Sequence, residues 1–172
     1  MMGRSLVVTK IDYPCYKLSS GGKIVDIVIA NSHFESVFKR NDINEIKIKQ
    51  YEIARNILES LYKKYNNVIL CSDTNVMSHE EHKLREQFEN NGWIDSWSRK
   101  GLEINKNTYD TYNNVHLNLK LSKFTCRSRI DRIIFKCNNC DLKEFNLLKG
   151  TQEIMEPSDH FGVYSKYSVQ YS

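Results

Sequence analysis

The sequence contains no run of apolar residues long enough to span a bilayer, and no apolar h-region follows its N-terminus. Neither a membrane span nor secretion is expected. Its five cysteines are odd in number and irregularly spaced. That excludes a disulfide framework and points to a reducing compartment, nucleus or cytoplasm. Cys137 and Cys140 have the CxxC form, but no second pair and no histidine cluster accompanies them, so they read as two loop thiols and not as a zinc site. There are only two prolines, and no linker or internal repeat interrupts the 172 residues. One domain over residues 1–172 is expected. Charge of one sign is also scarce: the net +4 permits a polyanionic partner without requiring one. What is present suffices for a core, with 40% apolar and 27% charged residues, proportions that exclude disorder.

Ser5 to Ile11, rich in β-branched residues, reads as a strand. Leu18 to Gly22 is a turn. Lys23 to Ala30 returns as a strand apolar on both faces, so it is expected to be covered on both sides. Asp42 with Glu45 three residues on signals a capped helix from about Ile43 to about Tyr65. Its apolar face is expected at Ile46, Gln50, Ile53, Ile57 and Leu61, flanked by Ala54 and Leu58, with Lys47, Lys49, Glu52 and Arg55 on the solvated face. Val68 to Leu70 is a short buried strand. Ser78 with Glu81 caps a second helix ending near Gly92, and Trp93 to Trp97 is a packed connection. Arg99 to Lys123 reads as polar loop. Ile130 to Lys136 and Val163 to Val169 are the last strands. This order describes a layered α/β fold.

Chemistry-bearing residues gather at the predicted strand ends: His33, Asp73, Asn75, Asp131, Asp159 and His160. In layered α/β folds such ends converge on one rim, where sites form. Asp131 shares the alternating face of Ile133 and Phe135, so its carboxylate points inward and needs a partner; His160 can supply it. Carboxylates, two histidines and an asparagine suit metal-assisted attack of water on a phosphodiester. A hard cation, Mg²⁺ or Mn²⁺, would sit on Asp159. Asp73 would orient or deprotonate the water, with Asn75 fixing its geometry. His33 and His160 would stabilise charge on the phosphoryl oxygens, and Asp131 would hold the His160 ring.

Four blocks carry a wider resemblance: Asn31-Ser32-His33-Phe34-Glu35-Ser36, Ser72-Asp73-Thr74-Asn75, Ser128-Arg129-Ile130-Asp131-Arg132-Ile133 and Ser158-Asp159-His160. In this order and at these separations the chain resembles the endonuclease/exonuclease/phosphatase superfamily. With Thr108-Tyr109-Asp110-Thr111 added, it looks most like the tyrosyl-DNA phosphodiesterase 2 family, which removes tyrosyl adducts from 5′ DNA ends using Mg²⁺. The resemblance implies a four-layer α/β sandwich, two mixed sheets face to face with helices outside, of which this chain would be the larger C-terminal part. It also implies DNA as substrate, with Ser36 helping His33 to hold the phosphate and Tyr109 lining the substrate groove.

The sequence departs from the family pattern in places. Ser72 stands where glycine is usual and is expected to crowd its turn. Val76 and Met77 stand where an arginine would follow. The family's early Asn and metal-binding Glu have no counterpart here, so weak metal affinity is expected, together with an apolar edge near Lys23 to Ala30 and a partner chain or dimer mate supplying the first half. Another branch of the superfamily, an abasic-site endonuclease or a phosphatase, and a non-catalytic fragment binding nucleic acid or a partner chain are the alternatives.

Overall fold

A computed structural model describes residues 4–17, 21–36, 43–120, 125–150 and 157–170. The elements are β1 (Leu6–Lys17), β2 (Gly21–His33), α1 (Ile43–Tyr65), β3 (Asn67–Asp73), α2 (Glu81–Gln87), β4 (Ile94–Asp95), α3 (Ser96–Lys100), β5 (Tyr109–Asp110), α4 (Val115–Lys120), β6 (Arg127–Ser128), β7 (Asp131–Cys137), β8 (Cys140–Leu148) and β9 (Gly162–Val169). Five of the strands form a mixed sheet in the order β1-β2-β3-β7-β4, with β2 and β3 parallel and the other neighbours antiparallel. β8 pairs with β9, and β5 with β6, each antiparallel.

The two apolar faces of β2 and β3 follow from layers on both sides. Val28 and Ala30 of β2, Val68 and Leu70 of β3 and Ile134 of β7 pack under α1 and α2, against Tyr51, Ala54, Leu58, Leu84 and Phe88. The alternate residues, Val25, Ile27, Ile69, Ile133 and Phe135, pack on Cys140 and Leu142 of β8 and on Val163 and Tyr167 of β9. Among the described residues this gives three layers: helices, five-stranded sheet, and the β8–β9 pair. Each fully buried aliphatic side chain, such as Leu58 or Leu70, contributes about 1.5–3 kcal/mol.

Helix α1 has the expected limits. Glu45 in its first turn and Lys63 and Lys64 in its last complement the helix dipole. It ends at Asn66, whose left-handed φ of 63° lets its N–H reach the Tyr62 carbonyl at 2.8 Å. Asp42, the expected cap, lies outside the described residues, as do residues 18–20 of the first turn.

The buried face of α1 differs from the expected one. Lys47, Tyr51, Ala54 and Leu58 face the sheet, while Ile53 and Ile57 are 49% and 42% exposed. Lys47 is 1% exposed and Arg55 half-buried, so neither belongs to a solvated face. The buried face is offset by one residue from the register of the isoleucines: Tyr51, Ala54 and Leu58 pack on the sheet, and Lys47 on the same face is paired with buried Glu80.

Other boundaries also moved. α2 begins after a 3-10 turn, Ser78–Glu80; Ser78 makes no cap but lies 3.4 Å from the Ser128 hydroxyl, and Glu81 turns to Arg129 and Arg132. The connection at Trp93 to Trp97 contains β4 and the start of α3, and the stretch read as polar loop holds the rest of α3, a 3-10 turn, β5 and α4. Cys137 and Cys140 end and begin strands, the Cys137 thiol lying 3.8 Å from the Val68 carbonyl. β1 runs through Pro14 because it is an edge strand, where a missing N–H breaks no ladder. The expected apolar exposure is present on that edge: Val7 is 60% exposed, Ile24 of β2, opposite Pro14, 64%, and Val8, Ile11 and Tyr13 are also exposed.

Candidate active site

Strand register alone aligns three of the candidate residues. His33 is the Cα partner of Asp73 across β2 and β3, and Asp73 is the partner of Asp131 across β3 and β7. They stand side by side at one end of the sheet. His33 Nε2 lies 3.3 Å from Asp73 Oδ2. The turn before β9 delivers His160, whose Nδ1 lies 3.0 Å from Asp131 Oδ2 and 3.3 Å from Oδ1. The inward carboxylate of Asp131 thus has the partner it needed. One oxygen or nitrogen from each of Asp73, Asp131 and His160 falls within 4.8 Å of the others. These three line a cleft of about 300 Å³ with Asn31, Ser72 and Phe161.

The turn after β3 is an Asx turn: the Asn75 N–H donates to Asp73 Oδ1 at 2.9 Å. Asn75 is left-handed, with φ 49°, and its Nδ2 donates to the Phe34 carbonyl at 2.9 Å, tying this turn to the one after His33. Ser72 does not crowd the turn. Its side chain lies along the sheet, and its hydroxyl donates to the Ser32 carbonyl at 2.7 Å. Val76, in the place of the arginine, is buried in the core under α1. In the Ser-Asp-His turn the His160 N–H donates to Ser158 Oγ at 3.1 Å, and that hydroxyl lies 3.3 Å from Asp159 Oδ1. Asp159 is exposed. The Tyr109 ring meets His160 edge-on, centroids 5.3 Å apart. Ser36 is half-buried, three residues beyond His33.

Burial and then the Asp131 charge raise the Asp73 carboxyl above its ordinary 3.8, against the smaller pull of the Asn75 N–H and the two histidines. His160 is raised above its ordinary 6.5, chiefly by the hydrogen bond to Asp131 and against the effect of burial. A carboxylate ready to accept a proton thus faces an imidazole that favours its charged form. Such a pairing suits proton transfer at a phosphate.

No protein-family model and no curated protein matches the sequence. Solved structures do match. D. rerio TDP2 complexed with a single-strand DNA product superposes with TM-score 0.70 at 20% identity, over 96% of this chain and 62% of that one. An endonuclease/exonuclease/phosphatase family protein from Bacteroides thetaiotaomicron gives TM-score 0.59 at 17% identity, over 85% and 53%. A mannosyl-6-phosphatase from the same organism gives 0.60 at 16%, over 96% and 67%. This chain has the endonuclease/exonuclease/phosphatase fold. It spans less than two thirds of the length of the TDP2 structure.

Within that fold, the four sequence blocks lie around one rim, held there by Thr108, which motif reading quoted without a role, and by Asn114, Gln50, Tyr51 and Lys47, to which it gave no place in the site. Thr108 is fully buried. Its hydroxyl accepts the N–H groups of Ile130 and Asp131 at 3.1 and 3.0 Å, and its carbonyl accepts the Phe161 N–H at 2.8 Å. It therefore joins the start of β7 to the Ser-Asp-His turn. Asn114, also fully buried, donates to the Ser158 carbonyl at 3.1 Å and caps α4 through the His116 N–H. From α1, Gln50 Oε1 accepts the Glu35 N–H at 2.8 Å, Tyr51 donates to the Thr74 carbonyl at 2.5 Å, and Lys47 to the Asn75 carbonyl at 3.0 Å. A polar residue on the expected core face was the available signal for Gln50; Lys47 gave none.

Proposed function

We propose that this chain is a metal-dependent phosphodiesterase that hydrolyses a phosphodiester at a DNA end in the manner of a 5′-tyrosyl-DNA phosphodiesterase. The observation that supports the reading best is the row His33, Asp73, Asp131 across three adjacent strands, closed by His160. In this reading the substrate phosphate lies in the cleft against His160 and His33, with Ser36 beside His33 and Tyr109 along the groove. Asp73 accepts a proton from the attacking water as its oxygen bonds phosphorus; the Asn75 N–H holds Oδ1, and Oδ2, which faces His33 Nε2 at 3.3 Å, takes the proton. Phosphoryl charge that develops as the leaving oxygen departs falls on the imidazolium of His160. Asp131, accepting from Nδ1–H, keeps the opposite nitrogen of that ring turned to the cleft.

Asp159 offers one hard oxygen ligand, in keeping with the weak metal affinity expected from the sequence. Asp73 and Asp131 share their oxygens with His33, Asn75 and His160, whereas Asp159 is exposed and accepts from the Ser158 hydroxyl. Asp159 would hold Mg²⁺ or Mn²⁺, which when bound supplies positive charge to the phosphoryl oxygens.

A second reading, hydrolysis of a phosphate monoester, draws on the mannosyl-6-phosphatase that shares the fold. One assay separates the two: Mg²⁺-dependent release of tyrosine from a 5′-tyrosyl oligonucleotide, beside an abasic-site duplex and a sugar phosphate, with wild type and His160→Ala. Tyrosine release abolished by the substitution is the expected result. Turnover of the sugar phosphate alone would move the protein to the phosphatase reading. Folded protein silent on all three would overturn the enzymatic reading of this chain.

A further inference from the structure

Lys47 is the least expected of the residues that α1 sends to the rim. It is fully buried, and its ammonium makes two contacts: Glu80 Oε2 at 2.8 Å and the Asn75 carbonyl at 3.0 Å. Glu80 is buried as well and takes Lys83 on its other oxygen at 3.3 Å. A buried lysine needs a counter-charge, and Glu80 supplies it. Were pinning α1 to the turn at residues 78–80 its whole task, the ion pair would suffice. The second contact of the ammonium goes instead to the backbone of a left-handed asparagine at the rim.

Asn75 sits at φ 49°, a left-handed conformation that asparagine adopts more readily than other side chains and that hydrogen bonds to its neighbours can hold. Three hydrogen bonds do so here: its N–H to Asp73, its Nδ2 to Phe34, and its carbonyl from Lys47. The first two come from the motif turns themselves. The third comes from outside them, from a rigid helix of 23 residues, and is charge-assisted. Tyr51, one turn on, holds the preceding carbonyl, that of Thr74, and Gln50 holds the turn after His33 at the Glu35 N–H. One face of α1 thereby clamps the backbone of both motif turns.

We infer that Lys47 is a positioning residue: its ammonium fixes the Asn75 carbonyl, and so sets the direction in which the Asn75 carboxamide and the Asp73 carboxylate meet the substrate phosphate. The catalytic part of this inference rests on the phosphodiester reading above; the structural part does not.

The test uses K47M/E80Q, which removes the ammonium without leaving a buried carboxylate unpaired, with K47R as the conservative variant and E80Q as control. Amide hydrogen exchange at Asn75 and Val76 reads the turn without any substrate. Exchange there is expected to rise at least tenfold in K47M/E80Q, to stay within twofold at Val68 to Leu70 in β3, and to return towards wild type in K47R. With a 5′-tyrosyl oligonucleotide, kcat is expected to fall about ten- to a hundredfold, as for a reacting group displaced by about an ångström, with KM within threefold and partial recovery in K47R. Folded K47M/E80Q with unchanged exchange at Asn75 would overturn the inference. So would a kcat loss that E80Q alone reproduces. If wild type shows no turnover, the enzymatic reading fails while the exchange result still decides the role of Lys47.

Discussion

Asp73 and Asp95 are both aspartates at the end of a strand, one closing β3 and the other β4, and burial pushes both carboxyl groups up. They nevertheless move in opposite directions. Around Asp95 stand Arg132 and Arg129, whose charges outweigh burial and hold the group below its ordinary 3.8. Arg132 Nη1 lies 2.8 Å from its Oδ2, Arg129 bonds the same oxygen, and Glu81 takes both guanidiniums from the other side. Around Asp73 the second-largest influence is another carboxylate, Asp131, and the group is raised. The first cluster balances its charge, two guanidiniums against two carboxylates, with Asp95, Arg129 and Arg132 buried and Glu81 at its edge. The second leaves charge unbalanced at the wall of a cleft. The sign of the neighbour, and not burial, separates an aspartate that holds the fold from one poised for chemistry.

The comparison is sharpest when each cluster loses its aspartate or histidine. Asp95→Ala leaves two buried guanidiniums sharing one carboxylate and removes the cap that the Trp97 N–H makes on Asp95 Oδ1 at 2.9 Å. A loss of about 3–5 kcal/mol is expected in urea denaturation; a loss under about 1 kcal/mol would show that the network is not what holds β4, α2 and β7 together. At the rim the effects should fall on activity. His160→Ala is expected to lower kcat/KM for phosphodiester cleavage by about 10²–10³-fold while stability stays within about 1 kcal/mol of wild type. Equal damage to both properties would erase the distinction between the clusters.

Asp73→Asn is the most diagnostic change. A carboxyl raised above 3.8 binds its proton more tightly in the fold than in the unfolded chain, so stability falls as pH rises from about 3.8 through the raised value. Above that window the neutral asparagine, still able to accept the Asn75 N–H, is expected to stabilise by about 0.5–2 kcal/mol and to abolish activity. At Asp95 the same isosteric change should destabilise, because there stability is present above 3.8 and is lost only as pH falls through the depressed value. Thermal melts of both variants at neutral pH test the opposed signs. The last effect is smaller. His160, raised above 6.5, contributes stability that is complete below 6.5 and lost as pH rises through its folded value. Asp131→Asn removes the main cause of that shift. The basic limb of the pH–activity profile should then move to lower pH, and an unmoved limb would detach His160 from it.

Much of this molecule can be read from its residues in order. The limits of α1 and the existence of β1, β2, β3, β7 and β9 follow from local patterns, and the convergence of His33, Asp73, Asp131 and His160 follows from their places at strand ends. β8 escaped because a register irregularity between Leu142 and Glu144 interrupts its alternation. The second half of β1 escaped because Pro14 reads as a break, whereas an edge strand tolerates it. The short elements between residues 94 and 128 escaped because two-residue strands carry no period.

Order, type and spacing of residues were thus enough to set the layered α/β fold and to nominate the reactive groups, since periodicity and strand-end chemistry are local properties. Which face of α1 turns inward, which carboxylates are balanced and which are not, and how Thr108, Asn114 and Lys47 hold the rim were decided only in three dimensions. Burial and pairing are relations between residues far apart in the chain: Lys47 with Glu80, Asp95 with Arg132, Asp131 with His160. No local pattern encodes the sign of a neighbour that arrives from another strand.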